Sequence, residues 1–267
     1  IMSYKKTETY KYFSKSKFYC LKHKNYFNIY DNLFKKYQNK PITFVEIGIF
    51  SGGSLFMWKD FFGKKARIIG IDLNPDAKRF EKYGFEIFIG DQSKKDFWKR
   101  LFKKIGKVDI ILDDGGHTNY QQIITTNNCV PMIKENGILV IEDVHASYIK
   151  HNWYNPSKYS FINYTKKIID DINTRFPGII NFKYSLKKYI YKIEFFESIV
   201  AFHINKKLCK KNAFVNNSKK FTSPKEFRNT LDKNSFLYKI KQKFNLKNNF
   251  TYLVFLINAF KLKKYFK

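Results

Sequence analysis

The sequence predicts an α/β protein built on a doubly wound, mostly parallel seven-stranded sheet, with an antiparallel edge strand and helical additions at both termini. Three observations predict it. Short β-rich runs recur between residues 42 and 142. These runs are nearly continuous in apolar residues, the habit of strands covered on both faces. The stretches between them are long enough for crossover helices, which parallel strands require. With 267 residues, 44% of them hydrophobic and 19% aromatic, the chain can bury a sizeable core, which excludes a wholly disordered protein.

Taken in order, residues 2–40 are rich in aromatics and lysine. Their apolar side chains recur at three- and four-residue spacing through NYFNIYDNLFKKY, predicting a helix that lids the C-terminal edge of the sheet. The strands are ITFVEI (42–47), RIIGID (67–72), FEIFI (85–89), VDIIL (108–112) and ILVIE (138–142). The crossover helices are GSLFMWKDFF, DAKRFEKY, KKDFWKRLFKKI and NYQQIITTNNCVPMIK. After residue 150 a helix is predicted over 161–176, broken by Pro177 and Gly178. IYKIEFF and SIVAFHI then form an antiparallel pair at the sheet edge, with Phe196 or Glu197 in an unusual turn conformation. Three regions result: a helical lid and substrate segment at 2–40, a main domain at 41–206, and a lysine-rich helical extension at 207–267.

The formal net charge of +29 ordinarily points to nucleic acid or an anionic membrane. Only five of the 51 basic residues are arginine, however, and lysine keeps company with abundant Asn, Ile, Phe and Tyr, the signature of AT-rich codons. Cys20, Cys129 and Cys209 are too widely spaced for a CxxC metal site and odd in number, which predicts a reducing compartment. No signal-peptide pattern and no run of 18 apolar residues is present. The expectation is a cytoplasmic protein, with at most a peripheral contact to the inner face of a membrane through Phe250, Leu253, Phe255, Leu256 and Phe260.

Chemistry concentrates at the strand ends. In VEIGIFSGGS (45–54), Gly48, Gly52 and Gly53 lie where the first strand turns into a helix, so backbone can approach a ligand beside the free N–H groups of the helix. Asp72 closes the second strand, where a carboxylate can bind ribose hydroxyls. Asp91, in GDQS, ends the third strand, although such a residue also serves as a helix cap. Together these features resemble the class I S-adenosylmethionine (SAM) methyltransferases. Glu46 and Gly48 match that family's acid-x-Gly pattern, Asp72 its second-strand acid and Asp91 its third-strand acid. The resemblance implies a SAM site that also takes in Gly53, Ser54, Gln92 and Asp113.

The next two strands end in DDGGH (113–117) and VIEDVHASY (140–148). Adjacent parallel strands lie about 4.8 Å apart, so Asp114, His117, Glu142 and Asp143 can converge. Clustered carboxylates repel unless a cation or protons neutralise them. A hard divalent ion (Mg, Mn or Fe(II)) on Asp114, Glu142 and Asp143 is the economical expectation, with His117 as the general base that accepts a hydroxyl proton. Strand-end acids acting only as helix caps are the bland alternative.

DDGGHTN, GILVIEDVHASY and IEFFESIVAF further resemble the metal-dependent bacterial sugar O-methyltransferases of macrolide tailoring and surface glycans, over about residues 20–205. The resemblance implies Asp114 as metal ligand and His117 as base, with Glu142 and Asp143 completing the ligand set. Gly116 departs from a commoner Ser. It also implies cofactor contacts from His23 and Tyr26 in HKNYFNIYDNLF. His145 and Tyr148 follow the acidic pair closely enough to touch an acceptor, although loop aromatics also serve as packing residues. The acceptor implied is a sugar hydroxyl on a small molecule, in particular a nucleotide-activated hexose or heptose destined for surface polysaccharide, with a homo-oligomer compatible. Two alternatives compete: a nucleic-acid methyltransferase, disfavoured because DDGGH replaces the Asn/Asp-Pro-Pro-aromatic motif of base methylases, and a non-catalytic membrane-surface binder.

Overall fold

The computed structural model describes residues 3–150, 157–176 and 186–220, together with 239, 259–260 and 262–266. Contacts divide the chain into one unit of residues 1–213 and a second of 214–267. Within the first, strands β1 (Thr43–Ile47), β2 (Arg67–Asp72), β3 (Glu86–Ile89), β4 (Val108–Asp113), β5 (Ile133–Ile141), β6 (Ile190–Phe196) and β7 (Ile199–Ile204) form one sheet in the order β3-β2-β1-β4-β5-β7-β6. The pairs from β3 through β5 are parallel, whereas β7 runs antiparallel to both β5 and β6. The order reverses between β1 and its neighbours β2 and β4, which opens a crevice beyond the C-terminal ends of those strands.

Period-two alternation divides the apolar residues between two cores. Phe44, Ile110, Leu112, Ile138 and Val140 face one side, and Val45, Ile47, Ile111, Leu139 and Ile141 face the other. The first face is covered by α1 (Glu8–Phe13), α2 (Tyr26–Phe34) and α3 (Gly53–Phe62), and the second by α4 (Lys95–Ile105), α5 (Asn119–Cys129) and α6 (Phe161–Asn173).

Several expectations are corrected. Residues 2–40 are not a separate lid. Tyr26, Phe27, Tyr30, Leu33 and Phe34 of α2 are buried in the first core, with Tyr30 and Phe34 edge-on to Trp58, because an amphipathic aromatic stripe gains most by burial on the sheet face. Asp31 fastens α1 to α2 by accepting from the backbone of Glu8 and Thr9 and from the Thr9 hydroxyl. It is the connecting segment around residues 19–26 that passes over the strand ends. The stretch Pro75–Tyr83 is 3-10 helix, entered through an Asn74 side-chain cap and closed by left-handed Gly84. The helix expected through residue 134 ends at Cys129 with a 3-10 turn over Val130–Met132, because Pro131 has no N–H to continue it, so β5 starts at Ile133. In the β6–β7 turn the left-handed residue is Ser198, not Phe196 or Glu197.

Among the described residues no helix is long and apolar enough to cross a membrane. The apolar stretch expected to touch lipid, residues 250–260, lies outside the described residues apart from 259 and 260.

Candidate active site

A cavity of about 610 Å³ opens at the C-terminal ends of the parallel strands, a size that suits a small organic ligand. Its lining includes His23, Tyr26, Gly48, Ser54, Asp72, Asp91, Gln92, Asp114, His117, Glu142 and Asp143. Eleven residues singled out from the sequence are thus brought to one chamber.

One end is built by the turn between β1 and α3. Gly48 has φ +81° and its N–H donates to the carbonyl of Ile71 at 2.8 Å. A Cβ at Gly48 would lie 2.2 Å from the carbonyl oxygen of Asp114, so glycine is required both by conformation and by close approach. Gly48→Ala is expected to lower stability by about 2–3 kcal/mol. Urea denaturation checks this, and an unchanged midpoint would contradict the packing described. The Asp72 carboxylate clips the turn: Oδ2 accepts from the N–H groups of Ile49 (3.0 Å) and Phe50 (3.1 Å), and Oδ1 from Asn74 N–H (2.8 Å). Exposed Tyr19, Phe50 and Leu73 form the apolar lip.

Three predicted cofactor residues do not line the cavity. Glu46 is fully buried beneath it, accepting from Ser54 Oγ at 2.7 Å and Trp58 Nε1 at 3.0 Å. Burial pushes its carboxyl up to about 7. Gly53 abuts the carbonyls of Phe18 and Tyr19, where any side chain would collide. Asp113 is buried and accepts from Gln92 Nε2 (2.9 Å) and Gly115 N–H (3.1 Å), and burial raises its carboxyl above the ordinary range. These residues position the walls. Gln92 acts in both capacities, since its Oε1 also accepts from Gly116 N–H at 2.9 Å.

The other end gathers His117 with the carboxylates of Asp114, Glu142 and Asp143. His117 stands at φ +56° before α5, whose N-terminus is closed by a Thr118–Gln121 capping box. Its Nε2 lies 3.4 Å from Asp143 Oδ2 and 3.9 Å from Asp114 Oδ1. Asp143 is also left-handed, at φ +54°. Two strained non-glycine residues facing one another is a pattern that clusters at functional sites. Asp143 accepts from Tyr26 Oη, and burial raises that phenol above its ordinary range. His145 stands outside the lining, bonded through Nδ1 to Ser198 Oγ, and Tyr148 is exposed and also outside it.

The expected metal set of Asp114, Glu142 and Asp143 is not laid out as three open ligands. The Lys22 ammonium lies between two of them, 2.6 Å from Asp114 Oδ2 and 3.0 Å from Glu142 Oε2. The remaining Glu142 oxygen, Oε1, accepts from Tyr30 Oη. Burial alone would lower the Lys22 ammonium, but Asp114 and Glu142 outweigh it and hold it well above its ordinary value. Among the described residues, the donor atoms close enough to share an ion are instead those of Asp114, His117 and Asp143, and those of His23, Asp143 and His145. The three predicted carboxylates therefore do not fit a divalent ion as a set. Lys22 and Tyr30 were not legible as site residues, since a lysine in so basic a sequence and a tyrosine in an aromatic helix carry no distinguishing signal.

Comparisons with known proteins bear on this geometry. Residues 45–144 match a family model described as a methyltransferase domain. The mycinamicin VI 2''-O-methyltransferase of Micromonospora griseorubida is 32% identical over 126 residues, covering 45% of this chain and 31% of that protein. The 8-demethyl-8-alpha-L-rhamnosyl tetracenomycin-C 2'-O-methyltransferase of Streptomyces olivaceus is 27% identical over 153 residues, covering 54% and 40%. The chain spans about a third of the length of the first of these and two-fifths of the second. Among solved structures, the MycE methyltransferase of the mycinamycin biosynthetic pathway, in complex with Mg and SAH, has the same fold, with a TM-score of 0.65, 23% identity, and coverage of 74% of this chain and 54% of that one.

Proposed function

We infer that this chain, which carries a class I SAM-dependent methyltransferase domain, transfers a methyl group from SAM to a hydroxyl of a sugar. The observation that carries this is the chamber itself, which has a glycine turn and Asp72 at one end and His117 between Asp114 and Asp143 at the other. Its charge supports the donor. Five acids, Asp72, Asp91, Asp114, Glu142 and Asp143, line the cavity beside a single lysine, Lys22, which is paired with Asp114 and Glu142, in a protein whose formal net charge is +29. A site so acidic within so basic a chain favours a cationic sulfonium over a dinucleotide or a nucleic-acid strand. The named activities of the curated relatives, sugar O-methylations of macrolide and tetracenomycin compounds, support the acceptor class.

Bound SAM supplies an electrophilic methyl group on sulfur. The protein's own residues supply the rest. Asp72 holds the turn at 49–50 and offers carboxylate oxygen to ribose hydroxyls, while Tyr19, Phe50 and Leu73 cover the mouth and exclude water. A neutral hydroxyl is a poor nucleophile, so it must be aligned and relieved of its proton. His117 Nε2 takes that proton, and the carboxylates of Asp114 and Asp143 stabilise the imidazolium that forms. Between Asp114 and Glu142 the positive charge comes from the Lys22 ammonium.

The finer proposal is a nucleotide-activated hexose or heptose destined for surface polysaccharide, because a basic surface attracts the diphosphate of such an acceptor. Mass-spectrometric detection of S-adenosylhomocysteine, with purified protein, SAM and panels of rhamnosides, deoxyhexosides and nucleotide sugars, tests both levels. Acceptor-dependent product with 14 mass units, about one CH₂, added to a sugar is expected. Product only on RNA would move the assignment to nucleic acid.

A further inference from the structure

The two carboxylates at the ends of β4 and β5 already have a cation between them. The Lys22 side chain is 2% exposed, and its ammonium makes ion pairs with both Asp114, which is 22% exposed, and Glu142, which is 1% exposed. Glu142 is held on every side: Tyr30 Oη donates to its Oε1, Lys22 to its Oε2, and Gln122 Nε2 to its carbonyl oxygen. Lys22 Nζ also lies 5.8 Å from the centroid of the Tyr30 ring. The lysine comes from the segment that crosses the strand ends, 92 residues from Asp114 and 120 from Glu142 in sequence. Nothing local forces it there. An amine buried this deeply persists only where charge and hydrogen bonding offset its lost hydration.

We propose that Lys22 is the fixed counter-cation of the Asp114–Glu142 pair, standing where a divalent ion would bridge the two strand ends, and that it keeps the affinity of this pair for such ions low. Lys22 thereby acts as a positioning residue: it holds Asp114 beside His117 through charge rather than by touching the acceptor. Its consequence for turnover, that methyl transfer persists in a strong chelator, rests on the function proposed above. Ion binding itself does not, since it can be read without SAM or acceptor.

The test uses Mn²⁺ as the probe and follows the free-ion electron paramagnetic resonance signal. The wild-type chain, Lys22→Met, Lys22→Arg and the double variant Lys22→Met with Glu142→Gln are compared, each with its circular dichroism recorded. Lys22→Met is expected to bind one Mn²⁺ at least about tenfold more tightly than wild type, because a like charge within a few ångströms of the ion has gone. Lys22→Arg should resemble wild type, and adding Glu142→Gln should abolish the gain. Wild type binding one Mn²⁺ as tightly as Lys22→Met, or a gain that survives Glu142→Gln, would overturn the proposal. Should Lys22→Met fail to fold, wild type and Glu142→Gln alone decide: tight binding by wild type that Glu142→Gln removes contradicts it, and no binding by wild type at millimolar Mn²⁺ supports it.

Discussion

Replacing His117 with Asn is expected to lower kcat by about 10²- to 10⁴-fold, the usual worth of a positioned general base, while leaving SAM affinity within about twofold. Asn is the informative substitution. His117 occupies the left-handed region at φ +56°, which Asn tolerates better than most residues, so the turn into α5 should survive. What disappears is the imidazole whose Nε2 faces Asp143 and Asp114 at 3.4 and 3.9 Å. Since the hydroxyl acceptor cannot lose its proton to an amide, the loss appears in kcat rather than in donor binding. Steady-state kinetics with a methylated sugar as product, alongside calorimetry for SAM, separates the two. A variant retaining more than about a tenth of wild-type kcat would remove His117 as the base.

Replacing Asp72 with Ala is expected to weaken SAM binding by about 100-fold or more. Two losses combine. The ribose loses its carboxylate acceptor, and hydrogen bonds to charged groups contribute about 1.5–3 kcal/mol each. The turn at Ile49 and Phe50, together with Asn74, loses three backbone tethers of 2.8–3.1 Å, so a wall of the chamber must be reordered on binding. Asp72→Asn retains an acceptor oxygen and should fall between. Calorimetric titration checks this, and an affinity within threefold of wild type would show that Asp72 only shapes the turn.

The sheet was legible in the sequence because burial on both faces writes continuous apolar runs. RIIGID matches β2 to the residue, and GSLFMWKDFF likewise matches α3. The cavity lining was legible where chemistry depends on strand ends, as with Gly48, Asp72, Asp114, His117 and Asp143. Glu46 and Asp113 show the limit of such patterns. Each sits at the end of its strand as expected, yet their side chains point into hydrogen bonds beneath the cavity, with Ser54 and Trp58 and with Gln92 respectively. Strand alternation assigns a face, not a partner. The position of Lys22 was illegible for a different reason, since a contact across 92 residues between one of many lysines and one of many acids leaves no local trace. The left-handed conformation of His117 follows the Asp-Gly-Gly turn signal at 114–116, whereas that of Asp143, in VIEDVHA, has no glycine or proline beside it and is set by tertiary packing.

The chamber between the glycine turn and His117 is proposed to bind SAM. Calorimetric titration of S-adenosylhomocysteine into the wild-type protein tests it most directly, because it needs neither the acceptor nor any assumption about the cation. One binding site per chain with micromolar affinity, accompanied by a rise in Tm, is the predicted result. No heat and no change in Tm at millimolar ligand, with a native circular dichroism spectrum, would contradict it.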